Sequence, residues 1–148
     1  MDYGLMSHRY TAFGWAIDVA AGWTAEIREE TAFNELVPFV AIVPPTNDSL
    51  LRLTPDKRGI VSAAEWVETV GRMNRAMGRL VSAIRCGDFS GYTVSFMTGG
   101  EWLRGWALCA DSVPLDVTYR CKAADVGRDD PDVDGMLNTL GQEEMFSP

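Results

Sequence analysis

At 148 residues the chain has the length of one domain, long enough to bury most of its apolar surface without disulfides or metals as staples. A hydrophobic fraction of 47% and a charged fraction of 23% are ordinary for a globular protein, and no apolar run approaches the length that spans a bilayer. The formal net charge of -8 sets the surface against phosphate backbones, so nucleic acid is excluded as an expected partner.

Residues 1–8 lack the basic-then-apolar layout of a secretory leader, which reads as a mobile start on a cytoplasmic protein. From Tyr10 the pattern is extended, with Phe13, Trp15, Ile17 and Val19 alternating with small or polar residues. Ala20-Ala21-Gly22 then turns the chain into Trp23, Ala25 and Ile27. This predicts a hairpin in which Gly22 supplies a positive φ. Glu29 to Glu35 is polar and reads as a connection. Pro38 to Val43 is apolar on both parities, as in a strand covered on both faces, until Pro44-Pro45-Thr46-Asn47-Asp48-Ser49 stops it. Leu50 to Leu53 is a short return strand ended by Pro55.

The spacing predicts one long helix over about 62–82. Ser62 and Glu65 stand in capping-box register, and Trp66, Val70, Met73, Met77, Leu80 and Val81 recur as an apolar stripe. Glu65, Glu68, Arg72, Arg75 and Arg79 form the solvated side. Gly71 and Gly78 lie two turns apart on one flank of the stripe. They mark close approach of another backbone, either the domain's own sheet or a partner.

A meander follows. Tyr92, Val94 and Phe96 share one parity; Trp102, Arg104, Trp106 and Leu108 follow Gly99-Gly100; Leu115, Val117, Tyr119 and Cys121 follow Asp111-Ser112. The second parity of the middle strand is Leu103, Gly105, Ala107 and Cys109, mostly small. The aromatic face is therefore expected to pack on the long helix, and the smooth face to take a short terminal helix. That last helix starts near Asp129-Asp130-Pro131 and carries Val133, Met136, Leu137 and Leu140, with proline and aspartates in its first turn and a frayed tail over 142–148. The expected fold class is α+β, a predominantly antiparallel sheet between helices in a single domain over 1–148.

Chemistry-bearing constellations are sparse. Cys86, Cys109 and Cys121 are odd in number and follow no metal spacing, so they read as reduced small hydrophobes. His8 is the one histidine, and a Cys–His pair would need the N-terminus to fold back onto Cys86. Asp130-Pro131-Asp132-Val133-Asp134-Gly135 opens like a calcium loop. Gly141 stands where the bidentate glutamate belongs, and the same letters describe aspartates crowding a helix start. Arg104 sits between Trp102 and Trp106, either stacked on the rings as a cationic spot or with its stem buried and its head in water.

Taken together, Ala20-Ala21-Gly22-Trp23, the helix entered through Ser62-x-x-Glu65, Gly87-Asp88-Phe89-Ser90-Gly91-Tyr92, Val117-Thr118-Tyr119 and the closing helix resemble the PsbP-like sandwich. That is the fold of the photosystem extrinsic subunit, of Mog-type Ran-binding proteins and of many small bacterial proteins. Ala21 replaces the proline usual before the Gly-Trp pair. The resemblance implies a scaffold whose members bind proteins, including chaperones for secreted effectors, and it brings no catalytic residues or cofactor with it. The expectation is thus a non-catalytic protein-binding module, such as a chaperone, adaptor or toxin-immunity protein. It carries no cofactor, resident metal or membrane insertion, and a homodimer is compatible with it. Arg104, Asp116, Arg120, Gly71 and Gly78 are the candidate binding residues. The competing reading is a small-molecule binder or hydrolase with its pocket on the small-residue face of the sheet.

Overall fold

A computed structural model describes residues 7–55 and 62–143. Among the described residues there are ten strands and two α-helices. They are β1 (His8–Ala12), β2 (Trp15–Val19), β3 (Thr24–Ala32), β4 (Glu35–Val43), β5 (Leu50–Pro55), α1 (Ala63–Ala76), β6 (Val81–Cys86), β7 (Phe89–Thr98), β8 (Glu101–Ala110), β9 (Val113–Lys122), α2 (Asp130–Leu137) and β10 (Gly141–Gln142). The fold is α+β with antiparallel pairing throughout. A seven-stranded sheet runs β3-β4-β5-β9-β8-β7-β6, and a three-stranded sheet runs β1-β2-β10. No helix among the described residues is long and apolar enough to cross a membrane.

Two-residue turns set the register. Thr98 pairs with Glu101 around Gly99 and Gly100, both at positive φ, which is the backbone twist a tight hairpin needs. Partner numbers in that hairpin therefore sum to an odd value, and even positions of β7 oppose odd positions of β8. Tyr92, Val94 and Phe96 consequently lie beside Ala107, Gly105 and Leu103, on the opposite face from Trp102, Arg104 and Trp106. The expected single aromatic face holds for β8 and β9 and fails for β7.

The helix placement is reversed as well. The indole face of β8 and β9 belongs to one core with Trp15, Ile17, Val19, Trp23, Val133, Met136, Leu137 and Leu140, so β2 and the α2 segment close it. α1 packs instead on the other face, over β7, β8 and β9. Its buried line is Ala63, Val67 and Gly71. Small residues on both partners explain the choice: a Cβ on Gly71 would stand 2.9 Å from Cδ2 of Tyr92, and the strands beneath offer Gly105 and Ala107. On the opposite side the broad indoles need tryptophan, isoleucine and leucine to fill the space between sheets. Gly71→Val should cost about 1–3 kcal/mol by forcing the Tyr92 ring away, as read by denaturant unfolding.

α1 is also shorter than expected. Ser62 caps it, accepting the Glu65 backbone N–H at 3.2 Å. Gly78, at φ 80°, ends it: its N–H donates to the Arg75 carbonyl, and that of Arg79 donates to the Asn74 carbonyl, each at 3.0 Å. This is a Schellman stop, so Gly78 is a helix terminator and not part of a packing flank. Leu80 and Val81 leave the predicted stripe, and Met73 and Met77 remain 59% and 61% exposed.

Three further expectations change. The chain first turns at Phe13-Gly14, pairing Ala12 with Trp15, where a continuous strand was predicted. The Ala20–Gly22 turn, with Gly22 at φ 84°, carries the chain from the small sheet to the large one, and β2 and β3 do not pair. Glu29 to Glu35 is strand and tight turn: β3 and β4 form a long hairpin around Phe33 and Asn34, both at positive φ. Within the expected mobile ends, His8 opens β1 and Gln142 pairs with Trp15; 1–6 and 144–148 lie outside the described residues.

Candidate functional site

The α1 face of the large sheet is only partly covered. Beyond the helix, β5 and β9 present Leu50, Arg52 and Thr54 beside Arg120, Thr118 and Asp116. The β3–β4 hairpin walls this floor with Glu30, Ala32, Phe33, Glu35, Leu36 and Val37, enclosing a groove of about 680 Å³. The hairpin reaches past the sheet because β4 pairs with β5 only over Val40–Ile42 while β3 and β4 pair along their whole length. Phe33 at its tip is 83% exposed and Leu36 is 67% exposed.

Arg52 organises the wall. Its guanidinium lies 3.8 Å above the Phe39 ring, its Nε donates to Thr54 Oγ1 at 3.1 Å, and its Nη2 donates to Glu30 Oε1. The bond from Arg52 holds the Glu30 carboxyl below the usual carboxylate range. Arg120 is exposed and makes no ion pair among the described residues. Asp116 lines this groove and also a smaller hollow of about 170 Å³ under the C-terminal half of α1, between Val70, Asn74, Phe96 and Leu103. Among the described residues the groove lining contains no cysteine or histidine; it offers fixed charge, two threonine hydroxyls and apolar edges.

The predicted binding residues therefore separate. Asp116 and Arg120 both line the groove, on either side of Thr118. Gly71 lies against Tyr92, and Gly78 ends α1. Arg104 lies on the other face: its guanidinium is 4.7 Å from the Trp106 ring and donates to Asp130 at 3.0 Å and to Asp134 at 2.9 Å. It does stack on an indole, but its charge is spent on α2, which it clamps to the sheet.

The calcium-like carboxylates are likewise committed. Asp130 and Asp134 receive Arg104, and Asp132 accepts the Trp23 indole N–H at 3.1 Å. The segment is helical, so Asp130 and Asp134 share one face and converge on Arg104 while Asp132 turns away to Trp23, where a calcium loop would bring all three together. His8 is exposed on β1, whereas Cys86 is buried and burial pushes its thiol up to about 11, away from thiolate chemistry. Cys109 pairs with Pro114 and Cys121 with Trp102, on opposite faces, and all three cysteines are unbridged.

A second polar cluster joins the loops at the end of the core. Asp129, 7% exposed, accepts Tyr119 Oη at 2.6 Å and Ser49 Oγ at 2.8 Å. Arg128 donates to Asp129 and, through two nitrogens at 2.6 and 2.8 Å, to Asp48. Burial would raise the Asp129 carboxyl, but the bonds from Arg128, Tyr119 and Ser49 outweigh it and hold it below the usual range. Every charge here has an internal partner, so the cluster ties loops together.

Sequence reasoning missed Glu30, Arg52, Phe33 and Leu36. The available signal was Phe33-Asn34 flanked by Thr31-Ala32 and Leu36-Val37, since asparagine tolerates the left-handed conformation of a tight turn.

No protein-family model matches the chain, and no curated protein matches its sequence. Among solved structures it is similar to a Bacteroides thetaiotaomicron protein, with a TM-score of 0.63 at 12% identity over 93% of this chain. The match covers 48% of that protein, so this chain spans about half its length. At that identity the likeness concerns the fold alone.

Proposed function

We propose that the chain is a non-catalytic, cytoplasmic protein-binding module of the PsbP-like sandwich type, a chaperone, adaptor or immunity protein that holds its partner in the groove beside the β3–β4 hairpin. The observation that carries this reading is the placement of exposed Phe33 and Leu36 on the rim beside Arg120 on the floor, which has no ion pair among the described residues. An aromatic or aliphatic anchor beside a charge of fixed position is how interfaces concentrate affinity and specificity. Among its described lining residues the groove has no cysteine or histidine, so a thiolate or imidazole mechanism has no starting group there, and its carboxylates and threonines serve this reading as fixed polar contacts.

Site-specific photo-crosslinking tests it. A photoreactive residue at Leu36, in the cells that make the protein, should yield one dominant protein adduct. Arg120→Glu should reduce that adduct about tenfold while leaving unfolding free energy within about 0.5 kcal/mol, as expected of an exposed side chain. Adducts unaffected by the charge reversal would contradict the assignment.

A specific observation also supports the competing small-molecule reading. The groove lies on the small-residue face, and about 680 Å³ is the size of an ordinary ligand pocket. Small-molecule fragments that shift the Thr118 and Arg120 amides, with no protein adduct at Leu36, would favour it.

A further inference from the structure

The two edges of the large sheet differ. β3 is guarded by Glu26, Arg28, Glu29 and Glu30, the charges that keep an unpaired strand from recruiting another. Among the described residues β6 has one neighbour, β7, and carries only Arg85 as a guard; Ser82 and Ala83 on the same strand are exposed. In an antiparallel pair alternate residues turn their N–H and C=O away from the neighbour, so β6 offers an unused row of backbone groups.

Above this edge lies a basic strip in an acidic protein. Arg75 stands 4.9 Å over the Tyr92 ring and Arg79 stands 3.8 Å over the Phe96 ring, both on β7 next to β6. Among the described residues Arg72 bonds only the Thr69 hydroxyl, and Arg85 the Gly87 carbonyl. Arg85 shares the α1 side of the sheet with Ala83, whose partner is Tyr92. Among the described residues none of these four arginines has a carboxylate partner, although the chain has 21 acids against 13 bases. Of the two acids on this side of α1, Glu68 accepts the Tyr92 hydroxyl at 2.9 Å and Glu65 lies a turn further away, at the helix start.

We propose that β6 takes an extended acidic segment of a partner protein as an eighth strand. Backbone bonds seat the segment, and its carboxylates on the α1 side meet Arg72, Arg75, Arg79 and Arg85. A second copy of this chain does not fit: self-pairing of β6 would set two arginine strips against each other. Nucleic acid leaves the backbone edge unused and meets the repulsion of a chain with net charge -8.

The probe is a blocked ten-residue peptide alternating glutamate and valine, titrated into the isotope-labelled full chain. Amide shifts should concentrate in Val81–Cys86, exchange of those amides should slow, and affinity should fall as salt rises. The double variant Arg72→Glu, Arg85→Glu, with its thermal midpoint held, should bind at least about tenfold more weakly, and a lysine–valine peptide should not bind. The proposal is overturned by shifts that map to the Phe33–Leu36 groove or to β3, or by no binding at millimolar peptide. It is equally overturned by undiminished affinity in the double variant, by self-association through β6 in sedimentation, or by duplex DNA binding the strip more tightly than the peptide.

Discussion

Trp15→Ala should lower the unfolding free energy by about 3–5 kcal/mol, and Met73→Ala should leave it within about 0.5 kcal/mol. Trp15 is fully buried at the centre of the small sheet, in one core with Trp106, Leu115 and Val117 of the large sheet. Removing its indole opens a cavity between two sheets, and each is pinned by its own ladder and cannot close over the gap. Met73 sits on the apolar stripe that the helical period picks out, yet it is 59% exposed because α1 docks through Ala63, Val67 and Gly71. Chemical denaturation of the two variants measures the contrast directly. Comparable losses at both positions would place α1 against the indoles after all.

The second large effect belongs to Asp129. Alanine there leaves the Tyr119 hydroxyl, on a side chain 1% exposed, without its 2.6 Å acceptor, deprives Ser49 of its acceptor, and leaves Arg128 with Asp48 and Asp125 alone. A loss of about 2–4 kcal/mol is expected. The same cluster makes stability depend on pH. The Arg128 and Thr46 bonds hold Asp48 far below the usual carboxylate range, and Asp129 is lowered too, so both carboxyls titrate lower in the folded chain than in the unfolded one. As pH falls through about 4 the unfolded chain binds protons first, and the stability present above that value drains away below it. Urea unfolding between pH 7 and pH 3 should show this decline. Asp129→Asn should make it shallower, leaving the part due to Asp48, and an unchanged slope would remove Asp129 from the acid response.

The sequence disclosed most where one local rule acts alone. The Ser62 cap, the proline-led α2, the β8–β9 pairing and the two-sided burial of Phe39–Val43 all follow from caps, turns and period-two patterning. It disclosed least where tertiary contact decides between equal local options. The stripe of Trp66, Met73 and Met77 is the more apolar side of α1, but the buried line is the one narrow enough to approach Gly105 and Ala107. Gly78 reads from spacing as a packing glycine inside a longer helix, and only its φ of 80° makes it a helix stop. Arg104 lies on the apolar parity either way; only the fold brings Asp130 and Asp134 to it. The groove was half visible. Asp116 and Arg120 stand out as polar residues alternating with a buried row, whereas Glu30 and Arg52 meet only because the unforeseen β3–β4 hairpin carries one strand back over the other.

Both binding readings depend on the small sheet and α2, not α1, sealing the indole face, because that leaves the opposite face with its groove. Nuclear Overhauser contacts from the Trp106 indole are the most direct measurement. They should run to side chains of the β2–α2 layer, among them Trp15, Val133 and Leu137, and none should reach Met73 or Met77. Strong contacts between Trp106 and those two methionines, with none to the β2–α2 layer, would contradict the account.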